Sequence, residues 1–480
     1  MTLAAARKCT VEIELPHRPL GGVARALIGR EPGVAFLDGG GPSLQGRWSY
    51  LGWRPRRVVA WPQGKPGALQ QLRNCLDGAA SRTPPAGATV PFRGGWIGWL
   101  SYDLGRHFER LPAKALADAS IPDFVLGEYD VVLAEDRRDG RLFAAACADD
   151  EADLAALVQR AATMLSRTDE PGPATGDEGT PLTGQPGRSG RAPGGPAAQE
   201  GAATPAAEPQ PIVSRSEYLG AVERVLEHIR AGDVYQANYS HRFTARTDEP
   251  SAALYERLRA ASPAPFGCYL GLPGGPEILS ISPELFLRRT GRRLETRPIK
   301  GTRPRGASAA EDARLHAELR DSPKERAELM MITDLLRNDL GRVAAYGSVR
   351  VPELRALESH PTVHHAYSVI EAELREGLGT ADVIAATLPG GSVTGAPKIR
   401  AMQILDELEP LRRGPYTGAA GYIGHDGALC LNVLIRTLVR QGNEVWYQVG
   451  GGIVADSDPE AEYDETLAKG AALRRALLSS

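Results

Sequence analysis

The chain has 480 residues, 42 % of them hydrophobic, with a formal net charge of −3 and a sequence pI of about 6.4. This length allows a large core or several domains. The near balance of charge argues against a nucleic-acid-binding protein, which typically has a basic face. The cysteines show no paired ligand spacing, and no apolar run resembles a secretory signal or is long enough to span a bilayer. We therefore predict a cytoplasmic protein without disulfides, zinc or membrane segments.

Residues 1–167 alternate short apolar runs with turns, a pattern typical of strands and hairpins. An amphipathic segment, "EADLAALVQRAATMLSR", predicts a helix at the end of this region. Residues 168–211 contain no aromatic side chain and almost no large aliphatic one, so they cannot bury enough apolar surface to offset the entropy of ordering. We predict a disordered linker here; a Pro-rich partner-binding segment is the alternative.

Residues 212–480 mix strand-like and helix-like stretches. Ser214 or Ser216 suits the N-cap of a first helix, and Pro323 suits the first turn of a long one. Because strands and helices follow without regular βαβ alternation, we predict an α+β fold in which 1–167 and 212–480 form one compact unit. The predicted strands include "CYLGL", "EILSISPELFLRR", "ALCLNVLIRTLVRQGNE" and "VWYQVGGGIV".

Two acidic pairs stand at helical spacing. Glu325 and Glu328 are three residues apart in one predicted helix, and Glu462 and Glu465 are three apart in another. Residues so spaced share a helix face. Carboxylates contributed by two helices suit Mg²⁺, which prefers oxygen ligands; a solvated acidic face is the alternative.

Several single residues allow two interpretations. Arg436 interrupts an apolar run, and a buried arginine requires either an internal carboxylate or one from a ligand. The glycines of "YQVGGGIV" fit an anion-binding loop or a flexible hairpin. Lys300, in "RPIKGTRPRG", is by default expected at the surface, and Glu284 on the surface of an edge strand. His365 fits either a core histidine or a catalytic one. "GGSVTGAPK" lacks the phosphate-loop spacing, so ATP and GTP are not predicted.

In this order, several segments resemble the chorismate-utilising enzymes, which include anthranilate synthase large subunits and component I of aminodeoxychorismate synthase. The resemblance covers essentially all of 214–475 and implies two packed, mainly antiparallel sheets surrounded by helices. The segments that carry it are "SISPELFL", "TRPIKGTRPRG", "RAELMMITDLLRNDLGRV", "TVHHAYSVI", "LPGGSVTGAPKIRAMQILDELEP" and "GGGIVADSDPEAEYDET", with "FRGGWIGWLSYDLGRHFERLP" in the N-terminal region.

Within that family, "PIKGT" resembles aminodeoxychorismate synthases, whereas anthranilate synthases typically have "PIAGT". By resemblance, Lys300 adds to C2 of chorismate, and ammonia then attacks C4. Burial beside Arg297 or Arg303 is expected to lower the pKa of this lysine. Gln236 stands where isochorismate synthases have a lysine that activates water, which disfavours that activity. The alternatives are an anthranilate synthase component I and a non-catalytic chorismate-binding subunit.

The resemblance also implies roles for other residues. Glu284 would act as general acid and His365 would orient the ring. Glu328 and Glu465 would bind Mg²⁺, with Glu462 close by through water. The predicted substrate-binding residues are Thr394, Tyr422, Arg436, Gly451, Gly452, Lys469 and Gln236.

Ammonia has no internal source in this sequence, because no Cys–His glutaminase region fits in it. Family members obtain ammonia from a separate glutamine amidotransferase subunit, which is the predicted partner. The feedback element "LLES" of anthranilate synthases is not present, and "AFLDGGG" stands in its region. Inhibition by tryptophan is therefore not expected.

Overall fold

A computed structural model describes residues 9–40, 45–76, 88–148, 150–167, 208–360 and 363–479. Residues 168–207 of the linker predicted at 168–211 lie outside the described residues. Its last residues are described, and Gln210–Pro211 forms a short strand that pairs with Phe243 and Thr244. Within the described ranges no helix is both long enough and apolar enough to cross a membrane.

The first sheet has 12 strands, and all its neighbours pair antiparallel. In spatial order they are β1 (Cys9–Leu15), β8 (Arg141–Ala148), β7 (Val131–Asp136), β3 (Trp48–Gly52), β2 (Ala35–Asp38), β11 (Phe266–Leu270), β12 (Glu277–Ser282), β21 (Thr437–Gln441), β22 (Glu444–Ile453), β10 (Gln236–Arg246) and β18 (Gly395–Ala396), with β9 (Gln210–Pro211) on β10.

The second sheet has 10 strands, again antiparallel. In spatial order they are β15 (Ile299–Pro304), β17 (Val363–Glu373), β14 (Arg293–Arg297), β13 (Leu285–Thr290), β20 (Leu429–Val433), β19 (Ala419–Gly424), β5 (Gly95–Leu100), β6 (Phe124–Tyr129) and β4 (Arg57–Trp61), with β16 (Arg350–Ser359) on β17.

Helices accompany both sheets. Ser214 caps α4 (Arg215–Arg230) in a capping box, and Pro323 occupies the first turn of α7 (Pro323–Gly341), as predicted. The α-helices are α1 (Leu20–Leu27), α2 (Ala68–Leu76), α3 (Glu151–Arg167), α4 (Arg215–Arg230), α5 (Ser251–Ala261), α6 (Ala309–Asp321), α7 (Pro323–Gly341), α8 (Thr380–Thr387), α9 (Lys398–Leu408) and α10 (Pro459–Leu478), and 3₁₀ turns cover Tyr102–His107 and Gly391–Val393.

Alternation along the strands divides the core into layers. In β5, Ile97 and Trp99 belong to the core cluster between the sheets, whereas Trp96 and Leu100 belong to the cluster that includes residues of α2, α7 and α8. The outer face of the first sheet is covered in the same way by α1, α3, α5 and α10. Successive side chains of a strand point to opposite faces, so each strand serves two layers. The predicted α+β fold with two packed antiparallel sheets is confirmed.

The run "LCLNVLIRTLVRQ" was expected to be one strand, and this prediction is wrong. β20 belongs to the second sheet and β21 to the first, and the chain passes between the sheets at 434–436. Arg436 has φ +51 in this crossing, a left-handed conformation that is uncommon for a residue other than glycine. β12 and β13 cross between the sheets in the same way, through Pro283 and Glu284.

Candidate functional site

A cavity of about 590 Å³ opens between β15, β22, α7 and α10. It collects most of the residues singled out from the sequence. Its lining includes Glu284, Lys300, Glu328, His365, Arg436, Gly452, Glu462, Glu465 and Lys469, together with Asn238, Thr302, Lys324, Glu325, Ser392, Val393, Tyr416, Gln448 and Gly450.

The two crossings between the sheets bring Glu284 and Arg436 to this cavity. The two crossings are hydrogen bonded to each other. The Ile281 N–H donates to Arg436 O at 3.1 Å, and the Val433 N–H donates to Glu284 O at 3.1 Å. Ser282 adds a third bond, from Oγ to Val433 O at 2.6 Å. Glu284 is 6 % exposed, so the interpretation of an exposed edge-strand residue is wrong. Both side chains therefore rest on one hydrogen-bonded backbone frame.

A β-bulge presents Lys300 to the cavity. Ile299 pairs with Tyr367 and Thr302 with His365, so Lys300 and Gly301 together oppose one residue of β17. Such a bulge re-aims a side chain out of the regular alternation. Gly301 has φ +88, and a Cβ there would lie 2.8 Å from Glu325 Oε2. Only glycine fits this conformation and this spacing without strain.

Burial lowers the pKa of Lys300, because the charged ammonium is less well solvated inside the cavity than in water. Lys469 lowers it further by repulsion, while Glu328, Glu284 and Glu465 raise it. The cations proposed from the sequence are engaged elsewhere. Arg297 stacks on the ring of Tyr367, 4.3 Å from its centroid.

Arg303 likewise pairs with carboxylates, through Nε to Glu318 at 2.9 Å and Nη1 to Glu325 at 2.7 Å. Neither it nor Arg297 is among the causes of the lowered lysine pKa, so that part of the prediction is corrected. The predicted burial is the main cause of the lowered pKa, and the cation that adds to it is Lys469.

Burial raises the pKa of Glu284 to about 7. A hydrogen bond with Ser392, the charge of Lys300, the Ile299 N–H and the charge of Arg436 all lower it, but they do not offset the desolvation. A carboxyl group with this pKa exists in both protonation states near neutral pH. It can therefore donate a proton at a pH where an ordinary glutamate is fully ionised.

His365 lies beside these groups on β17 and is 4 % exposed. Burial lowers its pKa to about 3, and the charge of Arg436 contributes. The imidazole is therefore neutral across the physiological range. Its Nδ1 lies 2.9 Å from Thr302 Oγ1. This contact and a hydrogen bond with the Gly301 backbone fix the ring orientation.

The acidic residues lie on two helices at the rim of the cavity, Glu328 on α7 and Glu462 and Glu465 on α10. Burial raises the pKa of Glu328 and of Glu462, and repulsion by Glu465 raises both further. Burial would also raise the pKa of Glu465, but Lys469, whose Nζ lies 2.7 Å from its Oε1, lowers it below its ordinary value. Glu465 thus acts electrostatically on both of the other carboxylates.

This donor set fits a divalent cation such as Mg²⁺, which is bound by one or two carboxylates and keeps several waters. The fit rests on Glu328 and Glu465, which repel each other in the same cavity. In the part of the chain that the structure describes, no group of three or more His, Cys, Asp or Glu side chains is arranged to hold a metal ion by itself. A cation here would need water or substrate oxygens to complete its coordination.

Arg436 supplies the positive charge of the inner wall. Burial lowers its pKa, which the charge of Glu284 partly offsets. Within the described residues the guanidinium forms no direct ion pair, and Glu284 acts on it through its charge alone. Of the two interpretations, an internal partner is therefore not supported, and the guanidinium is available to a ligand carboxylate.

Three predicted substrate contacts do not line the cavity: Gly451, Gln236 and Thr394. A Cβ at Gly451 would come 2.8 Å from Glu462 Oε2, and a Cβ at Gly452 would come 2.4 Å from Gln236 Nε2. Gln236 is fully buried under Gly452, and its amide atoms have no hydrogen-bond partner among the described residues. Thr394 is also fully buried, with Oγ1 donating to Gly390 O at 3.0 Å. These residues support the wall.

Tyr422 lies in a different cavity, of about 850 Å³, between the sheets. Its ring stacks on Phe92 at 4.6 Å and meets Tyr50 edge-on at 5.3 Å. The predicted contact between Tyr422 and the substrate pocket is therefore corrected. The tyrosine that lines the first cavity is Tyr416, which the sequence analysis missed. Its position at the end of the "RRGPY" segment, just before β19, was the available signal.

The sequence profile of a family described as chorismate binding enzyme matches residues 42–475. Anthranilate synthase component 1 1 of Haloarcula marismortui is 40% identical over 93% of this chain and 87% of its own length. Aminodeoxychorismate synthase component 1 of Klebsiella aerogenes is also 40% identical, over 83% and 80%. The crystal structure of anthranilate synthase component I from Streptococcus pneumoniae TIGR4 superposes with a TM-score of 0.73 at 28% identity, covering 90% of this chain and 93% of that one.

Proposed function

The chain belongs to the chorismate binding enzyme family, and on that premise we propose that it is component I of an aminodeoxychorismate synthase. It would convert chorismate and ammonia to 4-amino-4-deoxychorismate and water. The observation that carries the proposal is Lys300, an amine with a lowered pKa that faces Glu284, a carboxyl group with a pKa of about 7, in one cavity.

In the first step, the neutral Nζ of Lys300 forms a bond to C2 of the ring. The ring double bond shifts, and the bond from C4 to its hydroxyl breaks. Glu284 donates the proton with which the hydroxyl leaves as water. Both groups must be in their neutral forms, and burial favours the neutral form of each.

In the second step, ammonia attacks C4, the double bond shifts back, and the bond between C2 and Nζ breaks. The adduct nitrogen leaves as the neutral amine, and one proton passes from the attacking nitrogen to the Glu284 carboxylate, so Lys300 and Glu284 both return to their neutral forms. Arg436 is available to hold a substrate carboxylate, and neutral His365 to orient the ring. Glu328 and Glu465 would hold Mg²⁺, which when bound would offset the charge of the ring carboxylate.

The ammonia is proposed to come from a separate glutamine amidotransferase subunit. The names of the relatives, which call them component 1, support a partner for this chain. Glutamine-dependent turnover is then expected only in the presence of that subunit, whereas ammonium salts would support turnover by this chain alone. Measuring both rates on the same preparation tests the assignment.

The decisive experiment identifies the product. Purified protein is incubated with chorismate, Mg²⁺ and ammonium, and products are separated by chromatography for the native chain and for Lys300→Ala. The proposal requires aminodeoxychorismate without pyruvate from the native chain, and loss or diversion of this product in the variant. Arg297→Ala, which removes a nearby cation that stacks on Tyr367, is the matched control and should keep the native product.

An anthranilate synthase component I is the second candidate, because a relative of that name is as similar as those named aminodeoxychorismate synthase. It would give anthranilate and pyruvate, with ammonia attacking C2 directly. Lys300 would then be a positioning cation. A non-catalytic chorismate-binding subunit would consume no chorismate in the same assay, so one chromatogram separates all three functions.

A further inference from the structure

One buried ion pair lies directly behind the cavity wall. Arg413 and Glu409 are 1% and 4% exposed, and two parallel hydrogen bonds join them, from Nε to Oε2 at 2.8 Å and from Nη2 to Oε1 at 2.7 Å. Neither residue lines the cavity. A buried pair of this kind is costly to desolvate and adds little stability on average. Its connections therefore call for an explanation other than stability.

The arginine uses all five of its N–H groups. Besides the two bonds to Glu409, Nη1 donates to Val393 O at 3.0 Å and to Thr417 Oγ1 at 3.3 Å, and Nη2 donates to Asn238 O at 2.5 Å. Val393 and Asn238 line the cavity. One side chain thus ties β10, the 3₁₀ turn at Gly391–Val393 and the segment before β19 to a common point.

The glutamate extends the connection to the opposite strand. Its Oε1 also accepts the N–H of Ser240 at 3.0 Å and the hydroxyl of Ser240 at 2.7 Å. The same hydroxyl accepts Nε2 of Gln448 at 3.0 Å, and Gln448 lines the cavity on β22. The remaining amide oxygen of Gln448 is buried and has no protein partner among the described residues.

Tyr416 completes this wall. The guanidinium of Arg413 lies 5.8 Å from the centroid of its ring. Burial raises the pKa of Tyr416, and a hydrogen bond with the Asn238 side chain lowers it only in part, so the phenol stays neutral. Asn238, Tyr416 and Gln448 thus form a neutral polar wall, distinct from the charged groups Lys300, Glu284 and Arg436.

We propose that Glu409 and Arg413 are positioning residues that set this neutral wall for substrate binding, with Ser240 relaying their position to Gln448. The inference rests on the proposed use of the cavity for chorismate, whichever product is formed. Arg413 also ties the turn whose Ser392 bonds to Glu284, whereas Ser240 links the pair to Gln448. Loosening the wall at Ser240 therefore weakens binding of chorismate and leaves the chemical step unchanged, so this arm of the network controls KM and not kcat.

Ser240→Ala is the sharpest test, because it removes one buried hydroxyl and keeps the ion pair. Ser49→Ala is the matched control, since Ser49 is fully buried in β3 of the same sheet and its Oγ accepts the Gly39 N–H at 3.0 Å, away from the cavity. Chorismate consumption with Mg²⁺ and ammonium gives KM and kcat for each. We expect Ser240→Ala to raise KM about tenfold, the equivalent of one lost buried hydrogen bond, with kcat and the native product retained.

Arg413→Lys, which keeps the charge but offers fewer donors, should raise KM further. Unchanged KM in Ser240→Ala, or equal changes in Ser240→Ala and Ser49→Ala, would overturn the inference, as would a fall in kcat alone, which marks a purely structural role. If the native chain makes another product, KM still reports the wall. If it consumes no chorismate, the affinity for chorismate measured by calorimetry gives the same comparison.

Discussion

Glu284 and Lys300 face one cavity, and each favours the ionised form of the other, while burial opposes ionisation of both. The result is an acid and an amine whose pKa values are brought toward neutrality from opposite sides. The two residues lie on different elements: Glu284 on a crossing between the sheets, and Lys300 in a bulge of an edge strand. The N–H of Ile299, the residue before Lys300, is hydrogen bonded to the Glu284 carboxyl group and links the acid to the nucleophile.

The pKa of Glu284, about 7, predicts the pH dependence of the reaction. The proton donor is lost as pH rises through this value, so kcat/KM for chorismate should fall on the alkaline side of neutrality. The second limb, from protonation of Lys300, should lie below the pH expected for an ordinary lysine, because burial lowers its pKa. A pH profile of kcat/KM checks both limbs.

The same profile should change in one variant. Glu284→Gln cannot donate the proton, so kcat should drop by roughly 10²–10⁴-fold, and the alkaline limb should disappear. A profile that stays flat through neutral pH in the native chain would argue against Glu284 as the acid.

Glu328 and Glu465 are predicted to control the response to Mg²⁺. Removing either charge should raise the Mg²⁺ concentration needed for half-maximal chorismate consumption by about tenfold or more, since each supplies a ligand of an oxygen-bound cation. Glu460→Gln is the control, because Glu460 lies on α10 like Glu465 but pairs with Arg215 outside the cavity. An equal Mg²⁺ requirement in all three variants would contradict the assignment.

Two tyrosines six residues apart provide a matched pair. Tyr416→Phe removes the phenol that bonds to Asn238 in the cavity wall, and should raise KM for chorismate several-fold. Tyr422→Phe alters only the second cavity and should leave KM unchanged. Steady-state kinetics with varied chorismate distinguish them, and the reverse ranking would restore the original prediction for Tyr422.

Gly301 is predicted to be irreplaceable next to the lysine. Gly291 has φ +58 and open space around it, so Gly291→Ala should lower the free energy of unfolding by about 1–2 kcal/mol, the cost of the left-handed backbone. Gly301→Ala adds contacts at 2.8 Å with Glu325 Oε2 and Leu319 Cδ1. It should lose roughly 1–3 kcal/mol more.

Displacement of Lys300 in Gly301→Ala should also lower kcat, which Gly291→Ala should keep. Urea titrations and chorismate kinetics on both variants check the prediction. Equal losses of stability would mean that the bulge relaxes around the added methyl group.

The helices that could be predicted from the sequence carry a cap or a clear apolar stripe. Ser214, Pro323 and the pattern of α3 gave such signals. α6 also carries a cap, at Ser308, but it shows no clear apolar stripe, because Leu319 is its one buried residue within the described structure. The 4-residue strand β2 pairs with β3, the next strand in the chain, and with β11 from a distant part of the chain, and local pattern cannot give the second partner.

The crossings between sheets were harder still. The run through Ile435 and Arg436 is apolar on both sides and contains no glycine or proline, so periodicity gives no break where the chain changes sheets. The wrong assignment of the substrate-pocket tyrosine has a similar cause. Tyr416 precedes β19 and Tyr422 lies in it, and only the packing of the two sheets decides which ring lines which cavity. Motif resemblance located the residues but not their neighbours.

Each of the two sheets is built from strands of both parts of the chain. β2 pairs with β11 and β5 with β19, so strands from before residue 168 and after residue 207 share both sheets. Each part alone would leave open hydrogen-bonding edges and half of the intersheet core. Co-expressed as two separate polypeptides, 1–167 and 208–480 would be expected to associate as complementing fragments, because the sheets, and not the connecting peptide, hold the halves of this molecule together.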